Sequence, residues 1–252
     1  MKSNSNYLAP VDTSKNDSNK LLASPKHTLG LMALILAITI AGAFNASRSG
    51  GGGGGHSSAP ASSMQMISVF LFMIGVEWLW VFSIYKGMKN YASSIWDFLD
   101  RKGFVPKQLA ADVAFGALAL VLIYVCSKGV HSVFDPVVAT SDANPILPSR
   151  PEGFVPVALW VCLSMSAGIC EEIVFRGYLQ RQLTAFTGNA GIAIVAQAAI
   201  FGIGHAYEGV GPVIAIMVHG LVLGLLAHWR GNIRAGIVQH SAWDILAGLK
   251  ML

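Results

Sequence analysis

Residues 156–176 read PVALWVCLSMSAGICEEIVFR, an apolar run that ends in two adjacent glutamates and an arginine. A helix needs roughly 20 mainly apolar residues to cross a bilayer, so this stretch predicts a membrane-spanning helix. Charged side chains at membrane depth are costly and normally mark a functional site. The segment therefore predicts a transmembrane fold, and its charged residues predict where a functional site lies.

Similar apolar runs recur along the chain, and they predict an all-α, polytopic transmembrane helix bundle of about seven spans. The candidate spans are 29–46, 65–85, 109–130, 156–186, 190–206, 212–228 and 233–250. Of the 252 residues, 54% are hydrophobic and 12% are charged, which is about half the charged share of a typical soluble domain. This composition excludes an ordinary soluble protein. The basic residues lie in short clusters between apolar runs, which indicates a lipid bilayer and no nucleic acid as the partner.

The same pattern predicts how the chain is organised. We expect a disordered cytoplasmic tail (1–28), a signal-anchor or signal peptide (29–46), a Gly/Ser-rich linker (47–64), accessory transmembrane helices (65–154) and a core that carries the ionisable motifs (155–252). Ala41-Gly42-Ala43 would suit a signal peptidase, so a cleaved peptide and an uncleaved anchor both remain open. The mixed polar and aromatic segment 91–104 predicts a helix at the membrane interface.

The distribution of Lys and Arg predicts the orientation. If the spans alternate across the membrane, 13 of the 17 basic residues fall on the side that also holds the N-terminus. Basic residues accumulate on the cytoplasmic side of membrane proteins. We therefore expect a cytoplasmic N-terminus, and the short loops favour a bacterial inner membrane.

The first group of ionisable residues contains Glu171, Glu172 and Arg176. Adjacent helical residues point about 100° apart, so the two glutamates cannot face the same neighbour. Glu172 and Arg176 are four residues apart and can pair on one helix face. This pairing would leave Glu171 as the unpaired carboxylate, which suits a general base or acid.

Two histidines and an aspartate form the second group. His205 ends the fifth predicted span, and His240 and Asp244 lie one helical turn apart in the seventh. If both arms beside the turn at Gly188 are helical, Glu171 and His205 each lie about 25 Å from it, because each is 17 residues away. The sequence therefore predicts that Glu171 and His205 lie at equal depth in the membrane.

The depth of His240 fits less well. This residue lies six positions after Arg234, which is about 10 Å from the cytoplasmic loop. A kink near Gly177, or a tilt of the last helix, must bring the histidine to the other groups. His219 and Glu77 have no partner at helical spacing, so we expect both to pack in the core.

Taken in order, these motifs resemble the CAAX protease and bacteriocin-processing (CPBP) family of intramembrane endopeptidases, which includes the type II CAAX prenyl proteases. The matching residues are Glu171, Glu172 and Arg176, then Phe201 and His205, then His240 and Asp244. The resemblance covers about residues 155–250. Each motif is short, whereas all three in order on separate apolar segments are highly specific.

The resemblance implies that residues 155–252 form an intramembrane protease core that cuts a membrane-associated peptide or protein, often described as a metalloprotease. Glu171 would activate a water molecule and His205 would assist it. His240 and the residue four positions later would stabilise the oxyanion, while Glu172 and Arg176 hold the site together. Each hydrogen-bond donor to such an oxyanion contributes a few kcal/mol.

Asp244 departs from the family pattern, which often has asparagine at this position. An ionised carboxylate only accepts hydrogen bonds, so Asp244 would instead orient His240, be protonated or bind a metal. Glu171, His205 and His240 are candidate ligands for a divalent metal such as zinc. A directly activated water needs no metal, and the sequence leaves this choice open.

Two other classes of function remain compatible with the sequence. Buried glutamate, arginine and histidine also build proton relays, so a proton-coupled transporter is one alternative. Transporters often contain paired repeats, and this chain has none that we recognise. The second alternative is a catalytically silent membrane scaffold or immunity protein of the same fold.

Overall fold

A computed structural model describes residues 20–50, 63–91, 93–99, 105–134, 151–249 and 251. Within these ranges the chain folds into helices and contains no β-strand, which confirms the predicted all-α class. Most of the predicted tail (1–28) and of the predicted linker (47–64) lies outside the described residues. The division of the chain into those segments stays a prediction.

Each of the seven predicted apolar runs is helical. The helices are α1 (Pro25–Gly50), α2 (Ser63–Met88), α3 (Trp96–Leu99), α4 (Pro106–Phe134), α5 (Phe154–Glu171), α6 (Gln180–Thr187), α7 (Ala190–Ile203), α8 (Val210–Arg230) and α9 (Arg234–Gly248). A π-helix over Glu172–Leu179 joins α5 to α6. A short 3₁₀ turn over Ala206–Glu208 lies between α7 and α8.

Five segments of the described chain are long and apolar enough to cross a membrane. They are Pro25–Gly42, Met64–Met88, Pro106–Val130, Phe154–Thr187 and Val210–Arg230. Helix α7 is apolar but has only 14 residues, and α9 has 15. The protein is therefore a multi-pass membrane protein, with two shorter helices among the longer ones.

The π-helix includes the position near Gly177 at which a kink was one of two expectations. It contains Gly177, and a Cβ at this glycine would lie 2.5 Å from the ring of Phe98. A π-helical turn inserts an extra residue and shifts the side chains that follow, often at functional sites. The chain is thus π-helical at Gly177, and this glycine leaves room for an aromatic ring. The choice between a kink there and a tilt of the last helix stays open.

The predicted interface helix over 91–104 is shorter than expected. Only Trp96–Leu99 is helical, and residues 92 and 100–104 lie outside the described residues. Phe98 is fully buried, and its backbone carbonyl accepts a hydrogen bond from the Ile233 amide at 3.0 Å. This segment is therefore fastened to the helix bundle through Phe98, whereas Trp96 is exposed.

Helix α1 is fastened to the core by a buried polar network. The Gln182 side chain accepts a hydrogen bond from the Leu22 amide at 2.7 Å and donates one to the Ala23 carbonyl at 2.8 Å. The hydroxyls of Thr28 and Tyr178 lie 2.8 Å apart in a second bond. Because polar groups in a low-dielectric interior are costly unless paired, these bonds fix where α1 begins.

An ion cluster connects α4 to α8 and α9. The buried carboxylate of Asp112 accepts hydrogen bonds from Arg230 Nε and Nη2 at 2.9 and 2.6 Å. Its second oxygen accepts one from Arg234 Nε at 2.6 Å. The carboxylate of Asp112 therefore holds three helices together. One of its partners, Arg234, lies six residues before His240 in α9.

Candidate active site

The four residues predicted to carry the chemistry lie around one cavity. Glu171, His205, His240 and Asp244 all line a space of about 310 Å³ between α5, α8, α9 and the end of α7. This volume is at the lower end of the range for ligand-binding pockets. The structure thus brings together side chains that lie up to 73 positions apart in the sequence.

His240 lies between two carboxylates. Its Nε2 atom is 3.7 Å from Glu171 Oε2 and 3.7 Å from Asp244 Oδ2. The imidazole is 5% exposed, whereas the Glu171 and Asp244 side chains are 17% and 27% exposed. The two carboxylates can therefore reach a substrate while the imidazole stays behind them.

Glu172 fixes the imidazole from the opposite side. Its Oε1 atom lies 2.7 Å from Arg176 Nη1, so the ion pair expected from the four-residue spacing is present. The same oxygen lies 3.2 Å from His240 Nδ1. A carboxylate only accepts hydrogen bonds, so Nδ1 carries a proton, and Nε2 is the ring nitrogen that faces the cavity. This contact between the first and last motifs was not predicted from the sequence.

Close packing of α5 and α9 makes this contact possible. A Cβ at Gly236 would lie 2.5 Å from Glu172 Oε2, and a Cβ at Gly168 would lie 2.2 Å from Ser241 Oγ. Any side chain at either glycine would separate the helices. Small residues allow such close approach in membrane bundles, and here they bring His240 to the glutamates.

His205 is oriented by the backbone of its own helix. Its Nδ1 atom donates a hydrogen bond to the Phe201 carbonyl at 3.0 Å, so Nε2 is the nitrogen left to contact a substrate. The Phe201 ring packs 5.1 Å from the His205 ring and 5.8 Å from the His240 ring, between centroids. It also lies 4.4 Å from Arg176 Cζ. Phe201 is thus the common packing surface of the three motifs.

His219 belongs to the cavity wall, although the sequence indicated only core packing. Its Nε2 donates to the side-chain oxygen of Gln239 at 2.7 Å, and its ring centroid lies 5.4 Å from that of His240. The side chain is buried, as expected. Glu77, the other residue expected in the core, is buried and accepts a hydrogen bond from Ser166 Oγ at 2.6 Å. A histidine in mid-span was itself the signal that could have identified His219.

The turn after α7 adds two further polar side chains to the cavity, those of Tyr207 and Glu208. Burial raises the pKa of the Glu208 carboxyl above its ordinary value, and the nearby His205 acts in the opposite direction. Burial also raises the pKa of the Tyr207 phenol. Glu208 therefore keeps its proton to higher pH than an exposed glutamate does.

Helix α1 supports this turn. Thr39 Oγ1 lies 3.2 Å from the Gly204 carbonyl oxygen, and a Cβ at Gly42 would lie 3.8 Å from the Tyr207 ring. The possible signal-peptidase site at Ala41-Gly42-Ala43 lies within the continuous helix α1. Cleavage there would separate the helix that packs behind the turn, and whether it occurs stays a prediction.

The candidate metal ligands do not form a recognisable metal site. Within the described part of the chain, no group of three His, Cys, Asp or Glu side chains is placed to hold one metal ion. A catalytic zinc site normally has three protein ligands and one open position. The arrangement of Glu171, His205 and His240 does not fit this pattern, so we derive no step through a metal.

The comparisons with known proteins agree with the motifs. Residues 153–246 match the family model described as type II CAAX prenyl endopeptidase Rce1-like. No curated protein and no solved structure matches the chain. The matched segment includes all seven motif residues and nearly all of the cavity wall. Residues 153–246 are therefore similar to the type II CAAX prenyl endopeptidases, in agreement with the resemblance of the three motifs.

Proposed function

We propose that this protein is an intramembrane endopeptidase that hydrolyses a peptide bond in a membrane-associated peptide or protein. The observation that carries this proposal is the position of Glu171 on the cavity wall, 3.7 Å from the Nε2 atom of His240. A carboxylate beside an oriented imidazole supplies a general base and an electrostatic stabiliser. The match to the prenyl endopeptidase family supports the same class of reaction.

Glu171 removes a proton from a water molecule as the water oxygen attacks the scissile carbonyl carbon. The carbonyl π electrons move to oxygen and form an oxyanion, which accepts a hydrogen bond from a proton on His240 Nε2. The oxyanion then re-forms the carbonyl as the C–N bond breaks, the electron pair of that bond goes to nitrogen, and Glu171 gives the proton to the leaving amine. His205 assists Glu171 in positioning the water. No further reactant is needed.

Positioning residues keep the imidazole ready for this role. Glu172 holds His240 Nδ1 at 3.2 Å and is itself held by Arg176. Asp244 lies 3.7 Å from Nε2, so its negative charge stabilises a proton on that nitrogen.

We also propose the orientation expected from the basic residues, with the N-terminus in the cytoplasm of a bacterial cell.

The proposed function can be tested by cleavage of a peptide library. The full chain, purified and placed in lipid nanodiscs, is incubated with membrane-anchored peptides, and the products are identified by mass spectrometry. We expect the wild type to cleave a subset of the library and His205→Ala to lose most of this activity. Absence of cleavage by the wild type would contradict the proposal and favour a transporter or a silent scaffold. A parallel reaction with a chelator tests the metal requirement.

Two substitutions of Asp244 should distinguish the effect of its charge on kcat/KM from the effect of its side-chain volume. We expect Asp244→Asn to keep kcat/KM within about tenfold of the wild type, because an amide can donate to the oxyanion while keeping the side-chain volume. We expect Asp244→Ala to lose about a hundredfold, because it removes the charge that stabilises the proton on His240 Nε2, and loss of one contribution to oxyanion stabilisation typically has an effect of this size. Equal activity of both variants and the wild type would remove Asp244 from the mechanism.

A further inference from the structure

The cavity continues along α5, away from the reactive groups. Trp160, Ser164, Ala167 and Glu171 all line it, and their spacing of three or four residues places them on one face of the helix. Helix α9 runs beside this face, because Trp160 Nε1 donates a hydrogen bond to the Asp244 carbonyl at 3.1 Å. The cavity is therefore a groove between two packed helices.

The two helices run in opposite directions, so the ends of the groove differ. Glu171 and His240 meet at one end. At the other end, a Cβ at Gly248 would lie 2.1 Å from the Trp160 ring. From Glu171 to Trp160 is eleven residues of helix, about 16 Å at 1.5 Å per residue. One end thus carries Glu171 and His240, and Trp160 packs against Gly248 at the other.

Ser164 is the unusual residue in this groove. It is 1% exposed, and its hydroxyl has no hydrogen-bond partner within the described protein. A serine inside a helix commonly donates to the carbonyl four residues earlier, as Ser68 does to Met64 at 3.0 Å. The neighbouring cavity residues on α5, Leu163 and Ala167, are apolar. Ser164 is therefore a buried donor on an otherwise apolar stretch of the wall.

A peptide inside a membrane protein must find partners for its backbone polar groups, because lipid supplies none. Ser164 lies seven residues before Glu171, which corresponds to about 10 Å along the helix. An extended chain advances about 3.3 Å per residue, so this distance equals about three substrate residues. A chain that followed the groove from Glu171 along α5 would reach Ser164 at this distance.

We propose that Ser164 is a substrate-binding residue whose hydroxyl donates a hydrogen bond to a backbone carbonyl about three residues from the scissile bond. This inference rests on the proposed function and adds a subsite to it. Ser164 takes no part in the chemical steps. It binds the peptide backbone irrespective of side-chain identity, and it fixes the register in which the scissile bond reaches Glu171.

The test uses a peptide that the wild type cleaves in the library experiment, together with versions shortened stepwise from either end. With the full-length peptide, Ser164→Ala should lower kcat/KM by about three- to tenfold, the usual effect of one neutral hydrogen bond, mainly through KM. With peptides shortened on the side that reaches Ser164, wild type and variant should become equal. Ser68→Ala, which removes an exposed hydroxyl of α2, serves as the matched control and should keep wild-type activity.

The possible outcomes separate this inference from the proposed function. Unchanged kcat/KM in Ser164→Ala, or a loss that is the same for every peptide length, would overturn the subsite and leave the protease intact. A lower unfolding temperature of Ser164→Ala would also overturn it, since the hydroxyl would then hold the fold. If the wild type cleaves no peptide at all, both proposals fail together.

Discussion

Replacing Glu171 with glutamine is expected to lower peptide hydrolysis by about a thousandfold, within the range usually contributed by general acid–base catalysis. Glutamine has nearly the same shape as glutamate but cannot accept a proton from water. The Glu171 side chain is 17% exposed, and its Oε2 atom lies 3.7 Å from His240 Nε2. We therefore expect an intact fold, to be checked by the thermal unfolding temperature.

Glu172→Gln is the matched control, because the two glutamates are neighbours on the same helix. The Glu172 side chain is fully buried, and its Oε1 atom contacts both Arg176 and His240. Breaking a buried ion pair typically costs about 3–5 kcal/mol of stability. This variant should therefore unfold at a clearly lower temperature, whereas Glu171→Gln should not. Full activity in Glu171→Gln, or equal destabilisation of both variants, would contradict the roles proposed for them.

The parts of the fold that could be predicted from the sequence are those that depend on local pattern. Apolar runs predicted the helices because a span of bilayer requires a fixed length of helix. The pair of Glu172 and Arg176 was predictable because residues four apart meet on one helix face. The equal distances of Glu171 and His205 from one turn indicated that the two side chains could meet, and both line the same cavity.

What the sequence did not reveal depends on contacts between segments far apart along the chain. His219 had no partner at helical spacing because its partner, Gln239, lies on the next helix. The contact between Glu172 and His240 spans 68 positions and requires glycine at 236. The π-helix at Gly177 packs against the ring of Phe98, which lies 79 positions earlier in the chain.

The accessory helices were the least predictable part, because nothing in their composition indicates how they attach to the core. Asp112 interrupts an apolar span, yet no local pattern predicts its pairing with Arg230 and Arg234, which lie more than 115 positions later. The same holds for the network that joins α1 to Gln182. The Asp112 ion cluster and the network between α1 and Gln182 both lie partly outside the segment that matches the family model.

Loss of the Asp112 carboxylate should have the largest effect on stability among the accessory helices. The Asp112 side chain is fully buried. Its two carboxylate oxygens form ion pairs with Arg230 Nη2 and Arg234 Nε, each at 2.6 Å. Asp112→Asn removes this charge and turns an amide group towards two cations. Disruption of a buried ion pair typically costs about 3–5 kcal/mol, so we expect a substantial fall in the unfolding temperature. Asp97→Asn, a substitution of the aspartate in α3, serves as the control and should have an effect below about 1 kcal/mol.

The same substitution should also reduce catalysis, because the cluster fixes the start of the helix that carries His240. Arg234 is the first residue of α9, and His240 lies six residues further along the same rigid element. A small displacement of α9 would change the 3.2 Å contact between His240 and Glu172, and displacements of about 1 Å can cost a hundredfold in rate. We expect Asp112→Asn to lower kcat more than KM at a temperature where the protein remains folded. Wild-type kcat together with wild-type stability would show that α4 is dispensable for positioning the site.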